Sequence, residues 1–211
     1  NITNYELHSA DEAVELYNQA LDDDSDNLKP FERIDKIMTA KKDWKNQERN
    51  YRKMIKRMGN EVPPEKRPTQ IALWHALGEI YRTRLKNFQA ATEAFEVCIK
   101  LDPEASLPRH LILAELYHHA GPDSYDKAVR QYRHIIKSTA DLNQIAGHLK
   151  TLRRLFLELN QYDRAWCVTA VMAFLRKADE EEQRFYDQYK GKAFGRARAR
   201  LTDEQWHKNI Y

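Results

Sequence analysis

The chain has 211 residues, 42% hydrophobic and 32% charged, and its 35 basic and 32 acidic residues leave a formal net charge of +3. Six glycines and seven prolines are few for that length and disfavour a turn-rich all-β protein. The longest apolar stretch, 165–175, is far short of the ~20 residues of a membrane-spanning helix, and the near-balanced charge describes a mixed solvated surface.

These features weigh against a membrane protein, a secreted disulfide scaffold and a disordered tail. The chain does not begin with Met and shows no basic-then-apolar leader, so it reads as one stretch of a longer protein. Cys98 and Cys167, far apart and flanked by apolar residues, read as two free buried thiols of a reducing, cytoplasmic compartment rather than as a disulfide or metal pair.

In chain order, Ser9-x-x-Glu12 reads as a capping box opening a half repeat over 9–27, with Ala13, Tyr17 and Ala20 on one face. Over 28–61, Phe31, Ile34 and Met38 precede Trp44, Gln47, Tyr51 and Met54. A stiff connection from Gly59 to Pro68, with three prolines, comes next. Over 71–105, Trp74, Leu77, Gly78 and Tyr81 precede Phe88, Ala91, Phe95, Cys98 and Pro103.

Trp74, Leu77 and Tyr81 fall three and four apart, so they line one helix face, with Trp74 read as a large core aromatic. Gly78 lacks a Cβ and lets a neighbouring helix come close. The frame recurs over 107–141, with Leu113, Ala114 and Tyr117 before Tyr125, Ala128, Tyr132 and Ile135. Over 146–179, Leu149, Leu152 and Phe156 precede Tyr162, Ala165 and Met172.

Asp179-x-x-Glu182 then opens a capping helix, 180–190, with an acidic first turn that suits the positive end of the helix dipole. A basic strap, 191–211, carries Phe194, Arg196, Arg198, Arg200 and Trp206. It reads either as apolar packing by Phe194 and Trp206 or as an anion-binding tail.

The register slips in two places. Tyr81 to Phe88 has one residue more than Met38 to Trp44 or Phe156 to Tyr162, and Tyr117 to Tyr125 has two more. The second surplus falls in Ala120-Gly121-Pro122-Asp123-Ser124, a turn sequence.

The unit around Trp74 resembles the tetratricopeptide repeat, with its W-x₂-L-G-x₂-Y, A-x₃-F and closing proline over about 34 residues. The resemblance implies an all-α, right-handed superhelical solenoid of about ten helices in antiparallel pairs, used for protein–protein interaction. It implies a concave groove lined by the first helix of each repeat. The groove set is Lys36; His75, Glu79 and Arg82; Glu115, His118 and His119; and Lys150 and Arg154, with Leu111 and Leu157 as apolar anchors. The family's two-carboxylate clamp for chaperone tails needs Lys and Asn on the first repeat's inner helix and Asn, Lys and Arg on the next two, where this chain has Glu32 and Lys36, then Ala76, then Leu111 with Ile112. That clamp is absent.

No phosphate-binding glycine loop, H-E-x-x-H, C-x-x-C or G-x-S-x-G occurs. His110, His118, His119, His134 and His148 crowd together without i, i+4 spacing, which disfavours zinc. The chain is thus read as no enzyme, without cofactor or metal. The expected partner is a protein or peptide, acidic in character, with the chain a monomer or a weak dimer through the half repeat. Nucleic acid is disfavoured, and the alternative remains an RNA- or polyanion-binding repeat using Arg49, Arg52, Lys53, Lys56 and Arg57 with the arginine strap.

Overall fold

The computed structural model describes residues 2–59, 61–103 and 107–192. The described residues form ten α-helices and no strand: α1 (Ile2–Asp23), α2 (Lys29–Lys41), α3 (Trp44–Met58), α4 (Arg67–Glu79), α5 (Phe88–Leu101), α6 (Leu107–His119), α7 (Tyr125–Ser138), α8 (Leu142–Glu158), α9 (Tyr162–Phe174) and α10 (Glu180–Tyr189). None of these helices is long and apolar enough to cross a membrane. The basic strap lies outside the described residues from 193 onward.

The chain divides into two compact units, Asn1–Ser124 and Tyr125–Tyr211. The division falls inside the 107–141 segment that the sequence frame reads as one repeat. In the first unit each helix packs on the next, α1 on α2 and onward to α6. In the second unit α7, α8, α9 and α10 do the same. Helices joined by a loop of two to five residues and packed together reverse direction, which makes each such pair a hairpin.

The hairpin turns share one device. Lys42, Lys86, Asn160 and Arg176 all adopt left-handed backbone, with φ near 55°. At three of them the next N–H reaches back five residues: Asp43 to Met38 at 2.9 Å, Gln161 to Phe156 at 2.8 Å, and Lys177 to Met172 at 2.9 Å. These bonds satisfy carbonyls that a helix end leaves free.

The turn after α4 differs. Asn87 N–H bonds Tyr81 across six residues, at 2.9 Å, and the last turn, Ile80–Leu85, is π-helical. The surplus residue between Tyr81 and Phe88 is therefore absorbed inside the helix as a widened turn. The surplus after Tyr117 is instead taken up in a 3₁₀ turn, Pro122–Ser124, preceded by Gly121 at φ 97°.

One core cluster joins Leu21, Phe31, Ile34, Met38, Met54 and Leu73 across α1 to α4. At the α4–α5 crossing a Cβ on Gly78 would stand 2.9 Å from the fully buried Phe95 ring, so that close approach requires glycine.

Three expectations are corrected. Ser9 opens no helix, because α1 already runs from Ile2 and Ser9 is an interior helical position. Trp74 is only half-buried, since it lines an open cleft with Tyr81, Ala90 and Ala94, and Leu77 and Phe95 fill the interior. Both cysteines are free, but Cys167 is exposed, because α9 buries Ala165, Thr169 and Met172 and turns Cys167 outward. The second expected capping box is present: Asp179 accepts from Glu182 N–H at 3.0 Å, and Glu182 accepts from Asp179 N–H at 2.8 Å.

Candidate functional site

In the first unit, a cavity of about 620 Å³ opens between α3 and α4 with its π turn. Thr39, Trp44, Gln47 and Tyr51 line one side; His75, Ala76, Glu79, Ile80, Thr83 and Arg84 line the other. The sequence sets this out locally. Gln47 and Tyr51 stand one helical turn apart on α3, as do His75 and Glu79 on α4. The widened turn then places Thr83 and Arg84 at the mouth.

Gln47 is 6% exposed, and its amide orientation is fixed by its neighbours. Its Nε2 donates to Asp35 Oδ1 at 2.7 Å and to Thr39 Oγ1 at 3.0 Å. A carboxylate only accepts, so the nitrogen must face Asp35. Gln47 Oε1 is left buried and without a partner. His75 Nδ1 is likewise buried and unpartnered, and the ring stands edge-on to Phe95 with centroids 5.3 Å apart.

Burial pushes the His75 pKa down, and the nearby charges of Arg109 and Arg82 add to this against the opposing pull of Glu79. Burial, with the Asp35 carboxylate beside it, raises the Tyr51 phenol. Outside the cavity, Tyr81 donates to Glu48 at 2.6 Å; burial and that bond push its phenol up to about 12.

The residues singled out by sequence have varied fates. Glu79 and Arg82 form a forked pair, with Nε to Oε1 at 3.2 Å and Nη2 to Oε2 at 2.8 Å, and stand with His75. Lys36 on α2 and Glu115 on α6 are exposed. His118 is half-buried, and the exposed His119 lies against Phe88 at 4.3 Å. None of these four lines the cavity.

Lys150 and Arg154 belong to the second unit. Lys150 reaches Asp179 at 2.8 Å and Glu182 at 3.1 Å, so it secures the start of α10. Arg154 is exposed and lies 3.8 Å from Glu158. Trp44 and Arg84 were not in the groove set, yet they stack as cation on ring at 4.6 Å beside the cavity. The surplus residue after Tyr81 was the signal for Arg84, because a widened turn rotates the next side chains around the helix axis.

Among the described residues no group of three His, Cys, Asp or Glu side chains could hold a metal ion. Residues 71–104 match the family model for the tetratricopeptide repeat, and the chain carries that repeat there. No curated protein matches the sequence.

Three solved structures illustrate the likeness. BtubC from P. vanneervenii is 14% identical over 96% of this chain and 98% of that one, with a TM-score of 0.47. PilF of Pseudomonas aeruginosa is 19% identical over 82% and 72%, with a TM-score of 0.46. YrrB, described as a TPR protein with an unusual peptide-binding site, is 14% identical over 88% and 86%, with a TM-score of 0.48.

Proposed function

We infer that the chain is a non-catalytic scaffold that holds a peptide or helical segment of a partner protein, with the α3–α4 cavity as its anchoring pocket. One observation carries this reading: a cavity of about 620 Å³ is walled by Trp44, Tyr51, Ala76 and Ile80, with the exposed Thr83 and Arg84 among its lining.

A peptide segment fits this chemistry. Trp44 and Tyr51 offer flat apolar walls, and the exposed Thr83 and Arg84 offer polar partners. The preference for an acidic partner shifts from Arg82, whose forked pair with Glu79 occupies it, to Arg84 at the mouth. The free thiols Cys98 and Cys167 fit a reducing, cytoplasmic compartment.

The test is selection of ligands from a displayed peptide library on the immobilised full chain, followed by Ala76→Arg. Ala76 lines the cavity and makes no polar contact that the substitution removes. The expected outcome is at least roughly tenfold weaker binding with an unchanged melting temperature, because a filled pocket excludes the segment. Selected peptides that bind the variant equally well would place the contact elsewhere.

A further inference from the structure

We propose that the chain forms a weak, salt-sensitive homodimer in which the acidic α1 of each copy lies on the basic α3 of the other. Charge is sorted by helix in the first unit. α3 carries six basic residues and a single acid, Glu48, for a net +5, whereas the whole chain is only +3. Everything outside α3 is therefore net acidic. α1 has no lysine or arginine at all, while Asp11, Glu12, Glu15, Asp22 and Asp23 lie along it.

The two stripes match in length. Lys45, Arg49, Arg52, Lys53 and Lys56 are all exposed and recur at helical spacing on one face of α3. Glu12, Glu15, Asp22 and Asp23 are exposed along α1, with the 65%-exposed Leu16 among them. Each stripe covers the same number of residue steps, roughly 16 Å of helix at 1.5 Å per residue.

Both stripes border one cleft. Glu15 and Asp22 of α1 and Lys53 and Lys56 of α3 line a cavity of about 440 Å³ between them. The fold itself uses few of these charges. Arg57 closes on Asp22 at 2.7 Å, Asp11 is taken by Lys41 at 2.7 Å, and Arg52 lies 3.4 Å from Glu48. Among the described residues, Glu12, Glu15 and Asp23 form no ion pair, nor do Lys45, Arg49, Lys53 and Lys56.

A two-fold axis beside this cleft sets α1 on the other copy's α3 and α3 on its α1 at once. That is the self-complementary geometry of a closed dimer. Exposed ion pairs are individually weak and screened by salt, so the assembly belongs to low ionic strength. No aromatic ring lies in the α3 stripe, which leaves nucleic-acid bases nothing to stack on.

The test is sedimentation velocity of the nuclease-treated full chain at about 50 mM and about 500 mM salt, with the dimer expected at the lower value and at least roughly tenfold weaker at the higher. Reversing α1 with Glu12→Lys and Glu15→Lys, or α3 with Arg49→Glu and Lys53→Glu, gives monomers that keep their helical spectrum. Mixed one to one, the two reversed chains pair, because each stripe again meets its opposite. A wild-type monomer at low salt, a dimer indifferent to salt or to either reversal, or reversed chains that do not pair overturns the proposal. None of the four substituted residues lines the α3–α4 cavity, so the outcome is independent of peptide binding.

Discussion

The polar groups of α4 in the first unit and those of α8 in the second occupy equivalent places in the repeat frame, yet they end in opposite states. Around His75 and Gln47 the fold leaves buried polar atoms unpaired beside an open cavity. Around Lys150 it brings two carboxylates, those of Asp179 and the 4%-exposed Glu182 at the start of α10, onto a single ammonium. A saturated cation is fastened to its own fold and has little left to offer a ligand. The pair teaches that a groove residue is defined by what its neighbours have left free, more than by its place in a repeat.

The largest expected effect lies beneath the first of these regions. Phe95 is fully buried under Gly78 and against His75, so Phe95→Ala should cost about 3–5 kcal/mol in chemical denaturation. Trp74→Ala, which removes a half-buried side chain, should cost only about 1–2 kcal/mol. Equal losses would show that Trp74 is core after all.

Next comes the saturated region. Lys150→Glu sets a like charge against Asp179 and the buried Glu182, and should destabilise α10 by roughly 1–2 kcal/mol, allowing for the exposure of the lysine. Faster amide exchange confined to α10 is the readout. Lys36→Glu, at an exposed site, should stay within about 0.5 kcal/mol. If the two reversals behave alike, the contrast between saturated and open cations fails.

Two titrations have smaller expected effects. The His75 pKa is lowered, so its neutral form contributes stability that is complete above the ordinary value near 6.5 and is lost as pH falls through the folded value. His75 therefore does not tighten an acidic ligand between pH 8 and about 6.5, and any gain from it appears only at lower pH. Binding of a selected peptide across that range to wild type and His75→Gln should run in parallel; a gap opening between pH 8 and about 6.5 would refute the neutral assignment.

Asp179 is held down to about 2, first by its hydrogen bond from Lys150 and then by the Glu182 backbone N–H. Its contribution is present above the ordinary carboxylate value near 3.9 and fades as pH falls from about 4 to about 2. Amide signals of α10 should fray over that window, before those of α8. Simultaneous loss of both helices would deny the cap a separate role.

By itself the sequence determined what local chemistry controls. The apolar spacing located the helices. Asp179-x-x-Glu182 marked a helix start, because both bonds of that box lie within four residues. The surplus residue after Tyr81 and the Gly121-Pro122 turn marked where the register would bend, although the π turn that absorbs the first was not itself legible.

Only the tertiary structure decided which charges remain free. Lys150 finds its partners 29 and 32 positions further along the chain, beyond any i, i+4 rule, and helix packing alone brings them together. The same holds for Cys167, turned outward although its neighbours are apolar, and for Trp74, moved to the edge because Phe95 fills the interior. Spacing on one helix specifies a face, but what that face meets depends on the next helix. Burial, pairing and the unpaired atoms of the α3–α4 cavity are properties of that meeting.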